Sequence, residues 1–293
     1  MNEIEREELS RLVQENEKSA LVIFNAKKDA LQFYQEININ QCDKKYHLST
    51  SMCPHHRKEI LEKIRHDLKE GKKIFVVSTQ LVEAGVDFDF PVVFRALAPL
   101  DSIIQAAGRC NREGKLKGQD GQFVNGQVYV FRTEKMGMPY DKTYKTATDY
   151  TQIFIKDKLA ELSSPEIYSD YYSTLLKNFV NEDKAALDES RKNLEFENVA
   201  DRYKIIDSPA TPVFIKDYNP ESQRLYQEIQ YKPYLSQKDH RKMQAFTVQL
   251  YPSLVKSAGG LIQKLGNDAC IWEGEYHDET GIKVDLENSD FIV

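Results

Sequence analysis

The sequence predicts an α/β chain built on a parallel sheet, followed by a helical stretch and then a small α+β domain. Three observations carry this. Residues 20–24 (ALVIF), 74–77 (IFVV) and 92–97 (VVFRAL) are apolar without alternation, the pattern of strands covered on both faces. Amphipathic helical segments separate these runs, as in a chain that alternates strand and helix. After Arg132 the pattern changes, first to helix and then to short strand-like runs punctuated by glycine.

In chain order, 20–24 is the first strand and 27–36 a helix, with Tyr46-His47-Leu48 a short second strand. Pro54 opens the next helix, since proline suits a first helical position. Ile60, Leu61, Ile64 and Leu68 fall on one face of it, Lys and Arg on the other, and Gly71 stops it. Residues 74–77 and 92–97 form strands, 101–110 a helix, and 128–131 the last strand of the series. Residues 133–142 read as a linker. Residues 143–196 are helical in pattern, with Pro165 starting a second helix. Residues 205–216 and 245–251 read as extended, and the glycines from Gly259 to Gly281 mark short strands and turns. The expected divisions are 1–135, a helical linker region at 136–215, and an accessory domain at 216–293.

With 293 residues, 41% hydrophobic and 29% charged, the composition is that of a globular chain and excludes wholesale disorder or a membrane bundle. Mean hydropathy is −0.58. No apolar run approaches the ~18 residues of a spanning helix, and the acidic start lacks the pattern of a signal peptide. The expectation is a soluble, cytoplasmic protein without a membrane partner. Cys42, Cys53, Cys110 and Cys270 are scattered without a C-x-x-C, which argues against a disulfide framework and a zinc site. The net charge of −6 is concentrated in residues 273–293. Residues 55–75 and 109–118 are locally basic, so nucleic acid is not excluded as a partner.

The chemistry concentrates between Val76 and Gly114. Gln105, Gly108, Arg109 and Arg112 have the spacing of one helix face. Ile103, Ala106 and Ala107 fall on the other side. Two arginines one turn apart, with no side chain at Gly108, let a bulky anion approach, and guanidinium forks suit phosphate oxygens. A solvated basic helix end is the plainer alternative. Upstream, a buried strand ends at Val77 and Ser78 and Thr79 follow. Hydroxyl residues beyond the carboxyl end of a parallel strand form an anion site with backbone N–H groups, or simply cap a helix. Gly85 permits tight backbone geometry. Asp87 could accept from a ribose hydroxyl, hold an arginine, or serve as a turn residue.

Together these segments are more specific. Thr79-x5-Gly85-x-Asp87 followed by Gln105-x-x-Gly108-Arg109-x-x-Arg112 resembles motifs V and VI of superfamily-two helicases. The longer string STQLVEAGVDFDFPVVFRALAPLDSIIQAAGRCNREGK is similar to the CRISPR-associated helicase–nucleases of type I defence systems. LVIFNAKKDA (21–30), HLSTSMCPHHR (47–57) and YHDETGI (276–282) resemble further blocks of that family. The resemblance implies that residues 1–135 are the second of two RecA-like lobes, with ATP and Mg²⁺ held mainly by the first. It implies that Arg109 and Arg112 contact the γ-phosphate, that Gln105 orients the nucleotide or the attacking water, and that Gly85, Asp87 and Gly108 lie at the nucleotide. It assigns Thr79, Asn25, Ser49 and Thr50 to the backbone of single-stranded DNA, and a CRISPR surveillance complex as partner.

Departures from the family pattern matter equally. The sequence has no G-x-x-x-x-G-K-[ST], no strand ending in Asp-Glu-x-His, and no paired His-Asp metal motif. His55 and His56 are adjacent, not at ligand spacing, so no metal is expected. The chain reads as the C-terminal half of an ATP-driven single-stranded DNA translocase whose Walker-motif lobe lies elsewhere, without independent activity. A repair or restriction helicase fragment and a non-catalytic adaptor are the alternatives. Tyr144, Tyr150, Tyr171 and Tyr172 are expected to pack, and Trp272 to be core.

Overall fold

The computed structural model describes residues 3–39, 43–118, 120–134, 136–138, 142–158, 164–179, 187–202, 210–266 and 269–283. Cys42, the expected division at 135 and the acidic tail from residue 284 lie outside the described residues.

The first strands and helices are α1 (Arg6–Glu15), β1 (Ala20–Ile23), α2 (Lys27–Glu36), β2 (Lys44–Leu48), α3 (Pro54–Lys69), β3 (Ile74–Ser78), β4 (Val92–Ala96), α4 (Leu100–Ala107) and β5 (Gln127–Phe131). The five strands form one parallel sheet in the order β2-β3-β1-β4-β5. As the continuous apolar runs require, both faces are covered. Val22, Phe24 and Phe75 pack with Leu9 and Val13 of α1 and Phe33 of α2 on one face. Leu21, Ile23 and Val76 pack with Ile60 and Ile64 of α3 and Ala106 of α4 on the other. In register, Ser78 lies opposite both Ile23 and Leu48. The loops that follow β1, β2 and β3 therefore leave the sheet side by side at its carboxyl edge, where ligands of open parallel sheets bind.

The expected α/β sheet and helix starts hold, with one difference that bears on function. The helix expected at 101–110 ends at Ala107. Gly108, Arg109 and Cys110 continue as turns, with backbone N–H groups reaching only three or four residues back. The chain from Cys110 is then taken up by a bridge to Phe90.

The helix α5 (Lys142–Lys158) is followed by α6 (Pro165–Phe179), α7 (Leu187–Lys192) and α8 (Phe196–Arg202). Two compact units result: residues 1–148 with 210–293, and residues 149–209. Within the second unit Tyr171 is buried, its hydroxyl 3.2 Å from that of Thr151, so this tyrosine packs as expected. Tyr172 beside it is 41% exposed. Among the described residues no helix is long and apolar enough to cross a membrane.

From residue 210 the elements are β6 (Thr211–Ile215), α9 (Pro220–Ile229), α10 (Gln237–Gln244), β7 (Thr247–Leu250), α11 (Pro252–Ala258), β8 (Ile262–Leu265), β9 (Ala269–Trp272), β10 (Tyr276–His277) and β11 (Gly281–Ile282). A mixed sheet, β7-β6-β9-β8, carries a core around Phe214, Phe246 and Trp272. β6 thus belongs to this sheet, upstream of the expected start at 216.

The β10–β11 hairpin explains the YHDETGI block: it docks on the start of α3. The Tyr276 hydroxyl accepts from the Cys53 N–H at 3.0 Å and lies 2.9 Å from His56 Nδ1. His56 Nε2 is 2.8 Å from the Asp278 carbonyl. A carbonyl only accepts, so Nε2 carries the proton and Nδ1 accepts from Tyr276. This network holds a neutral imidazole, and burial lowers the His56 pKa below its ordinary value. The Ile282 N–H donates to the Ser51 carbonyl at 2.9 Å. Gly281, at φ +86°, passes so close that a Cβ would stand 2.2 Å from that carbonyl oxygen.

Gly281→Ala is therefore expected to destabilise the chain by about 2 kcal/mol or more, through both backbone strain and the lost hairpin contact. Gly260→Ala, where an added Cβ meets nothing within 4 Å, is expected to stay within about 1 kcal/mol. Urea unfolding of the two variants checks the difference.

Candidate nucleotide and nucleic-acid site

The structure sorts the expected residues into two groups, one beside the amino end of β4, where Cys110 bridges Phe90, and one at the carboxyl edge of the parallel sheet. The first lies around the turn after α4. The Arg109 guanidinium bonds two backbone carbonyls of the preceding loop: Nη1 donates to Val86, and Nη2 to Glu83 at 2.9 Å. Arg112 is half-exposed and pairs with the carboxylate of Asp87, which is 78% exposed. Its backbone N–H donates to Asp89 at 2.8 Å. Gly85 has φ +73° and open space where a Cβ would stand, so glycine serves the tight loop anticipated from sequence. Gln105 and Gly108 are exposed. Gly108 has φ −64°, so its role lies in the missing side chain, not in an unusual backbone.

The shared helix face expected for Gln105, Gly108, Arg109 and Arg112 is replaced by a different device. The helix has ended, and Asn111 turns the chain at φ +44°. Asn111 donates from Nδ2 to the Val124 carbonyl at 2.9 Å and accepts the Leu116 N–H at 3.0 Å. The arginines are brought together by this pinned turn and by the Phe90–Cys110 bridge.

The second group is a buried polar network that sequence reasoning missed. Arg95, near the carboxyl end of β4, is fully buried. Its Nη2 lies 2.8 Å from Glu83 Oε1. Its Nη1 donates to Asn25 Oδ1 at 2.6 Å and to the Ala96 carbonyl at 3.0 Å. The Tyr144 hydroxyl donates to Asn25 Oδ1 at 2.9 Å and accepts from Arg95 and Gln80, each at 3.3 Å. Burial raises the Glu83 pKa, opposed by the charge and hydrogen bond of Arg95 and by Ser102. One signal was available: Arg95 is a lone charge in a run apolar on both faces, and such a charge requires a buried partner. Tyr144, expected to pack, uses its hydroxyl as the hub.

This network alters the reading of the four residues assigned to nucleic acid. Asn25 is not presented to a ligand: it is fully buried, with Oδ1 bound to Arg95 and Tyr144 and Nδ2 donating to the Leu97 carbonyl at 2.8 Å. Ser49 is also buried, and its Oγ accepts from the Ser51 N–H at 3.3 Å. Thr79 and Thr50 differ. Both hydroxyl oxygens are buried without a hydrogen-bond partner, as are His47 Nδ1, Gln80 Oε1 and Arg109 Nε. An unmade bond at a buried polar group costs about 1–3 kcal/mol. The orphaned atoms of Thr79, Thr50, His47 and Gln80 lie at or just beyond the carboxyl ends of β2 and β3, while Glu83 Oε1 and Arg95 Nε in the network itself, His55 Nδ1 and Ser253 Oγ also lack hydrogen-bond partners.

Comparison with known proteins gives the following similarities. Residues 16–115 match the family model described as CRISPR-associated nuclease/helicase Cas3, C-terminal. A CRISPR-associated nuclease/helicase Cas3 of Haloferax volcanii is 52% identical over 60 residues, which are 20% of this chain and 6% of that protein. The solved structure of T. fusca Cas3-ATP superposes with a TM-score of 0.59 at 15% identity, covering 88% of this chain and 35% of that one. A chain of a CRISPR RNA-guided surveillance complex, pre-nicking, gives a TM-score of 0.53 at 15% identity, covering 90% and 38%. The chain thus spans little more than a third of the solved chains it matches; residues 16–115 are similar to the C-terminal part of Cas3 helicases, and the fold is shared with solved Cas3 chains.

Proposed function

We propose that this chain supplies the arginine-finger side of an ATP-dependent single-stranded DNA translocase in CRISPR antiviral defence, working with a Walker-motif lobe on the same or another chain. The observation that carries the reading is the placement of Arg109 and Arg112 on one pinned turn against the Gly85–Asp87 loop. Their partners are replaceable. Arg109 bonds two neutral carbonyls and has a buried Nε without a partner. Arg112 makes an exposed ion pair, worth about 0–1 kcal/mol. A phosphate oxygen offers each guanidinium a stronger, charge-assisted bond.

These residues fit a nucleotide held mainly by another lobe. Arg109 and Arg112 would meet the terminal phosphate, and Gly85, Asp87 and Gly108 would flank the nucleotide, with Gln105 one turn before the arginines. When bound, ATP with Mg²⁺ supplies the transferable phosphoryl group. The chain's own contribution is electrostatic. Two fixed cations compensate charge that develops in the transition state, at a site whose geometry is set before the nucleotide arrives.

Single-stranded DNA is the second ligand of this reading, along the loops after β2 and β3. The unpartnered hydroxyls of Thr79 and Thr50 support it, because a phosphate oxygen would satisfy them once the edge opens. A surveillance complex as partner rests on the fold shared with a chain of such an assembly.

In an enzyme that joins this chain to its Walker-motif lobe, Arg109→Ala and Arg112→Ala are each expected to lower kcat by about a hundredfold or more, with KM for ATP changed far less. The chain alone should show no turnover. Steady-state kinetics checks both points, and kcat within about twofold of wild type in both variants would refute the finger assignment.

Thr79→Val separates a site from a scaffold. Removing a hydroxyl that bonds nothing in the free chain should leave the thermal midpoint unchanged or raise it. The same variant should weaken binding of unrelated single-stranded oligonucleotides, because phosphate contacts carry no sequence. A drop in thermal midpoint with unaltered binding would place the hydroxyl in the fold instead.

A further inference from the structure

Arg95 poses a question that the finger reading leaves open. A buried ion pair is weak support for stability, since well-packed apolar residues of similar size often serve as well or better. Yet Arg95 is fully buried near the carboxyl end of β4 and bonds protein groups, one of them the buried Asn25. Its partners show what it does. Glu83 belongs to the loop between β3 and β4, Asn25 to the loop after β1, and Tyr144 to the start of α5. Ser102, which also stabilises the Glu83 charge, lies in the first turn of α4, the helix that delivers Arg109.

Glu83 is the joint. Arg95 holds its carboxylate at 2.8 Å, and Arg109 holds its backbone carbonyl at 2.9 Å. Two residues beyond Glu83 the loop passes through left-handed Gly85, which resists no rotation. Val86 then bonds Arg109, and Asp87 bonds Arg112. Both candidate fingers thus rest on a stretch, residues 83–87, with two buried side chains, Glu83 held by Arg95 and Val86 packed in the apolar core.

We propose that Arg95 is a positioning residue: acting through Glu83, it fixes the 83–87 loop on which Arg109 and Arg112 are arranged. The inference rests on the finger reading for its functional consequence, but the fixing of the loop is a property of this chain alone. Arg95 is fully buried, so the role assigned to it is exercised through its protein partners. Its planar fork serves Glu83 and Asn25 together, which a single ammonium group does not do in the same geometry.

The test is made on the full chain. Changing both partners, Arg95→Met with Glu83→Met, leaves no buried charge unpaired and should keep the thermal midpoint within a few degrees. Backbone hydrogen exchange at residues 83–87 should then rise about tenfold or more, while exchange in β1 and β3 stays as in wild type. In the enzyme assembled with a Walker-motif lobe, the same pair should lower kcat about tenfold or more, with KM for ATP within about threefold. Unchanged exchange at 83–87 in a folded double variant overturns the proposal. If that variant does not fold, Arg95→Lys decides: it keeps the charge but not the fork, and exchange at 83–87 should rise about threefold or more. Wild-type exchange there would overturn the proposal equally. An assembled wild-type enzyme without ATPase activity would instead refute the finger reading, and the exchange measurement would still decide whether Arg95 fixes the loop.

Discussion

The carboxyl edge of the parallel sheet depends on a single buried cation. Arg95 rises from β4 between Glu83 on one side and Asn25 on the other, and it ties together loops that are far apart in sequence. Without it, Glu83 would be an uncompensated buried carboxyl. Asn25 would lose a partner for its carbonyl oxygen, and Tyr144 one of the donors to its hydroxyl. Isolated polar groups of this kind are costly in a dry interior. Joined through Arg95 they frame that edge, where Glu83 Oε1, Arg95 Nε and the hydroxyls of Thr79 and Thr50 still lack a well-aligned hydrogen bond.

That arrangement has a functional logic. Among the frame residues Arg95 bonds both Glu83 and Asn25. The residues carried on the frame either have weak partners, as Arg112 does with exposed Asp87, or have none, as for the hydroxyls of Thr79 and Thr50. The arginine-bearing turn follows the same plan. It lies beyond the helix end, so its position is set by the left-handed Asn111, that residue's two side-chain bonds, and the bridge to Phe90. Gly126 passes so close to this turn that a Cβ would lie 2.5 Å from Cys110 Sγ and 2.9 Å from Asn111 Cβ. The path of the chain into β5 is thus fixed by the absence of a side chain. A helix surface would give the arginines regular spacing, whereas a clamped turn gives each its own direction.

Much of the fold was legible because burial on both faces leaves a strong mark in sequence. Residues 20–24, 74–77 and 92–97 read as strands from apolar continuity and fall within a residue of β1, β3 and β4, and Pro54 and Gly71 bracket α3 as their backbone preferences require. The helix to 110 was over-extended because the Gln-x-x-Gly-Arg-x-x-Arg spacing suits a helix, while the bridge to Phe90 that ends it is a contact of long sequence separation. Asn25 was assigned to DNA from a motif, and no periodicity could show that Arg95 and Tyr144 occupy its side chain. Local pattern also could not show why Gly281 is glycine, since the reason is a carbonyl of Ser51 far away in sequence. His56 likewise finds its partners in the C-terminal hairpin. The candidate site was therefore legible as a set of residue types, and its division into frame and presented groups was not.

The central claim is that Arg109 belongs to a nucleotide site completed by another lobe. Its most direct test is trapping by a mimic of the transferring phosphoryl group. Radiolabelled ADP with Mg²⁺ and fluoroaluminate is incubated with the assembled enzyme, and the nucleotide retained after gel filtration is measured. The account expects the wild-type assembly to retain it and the Arg109→Ala assembly to lose it, because a finger binds the transition-state charge more strongly than the ground state. Equal retention by both would contradict the account.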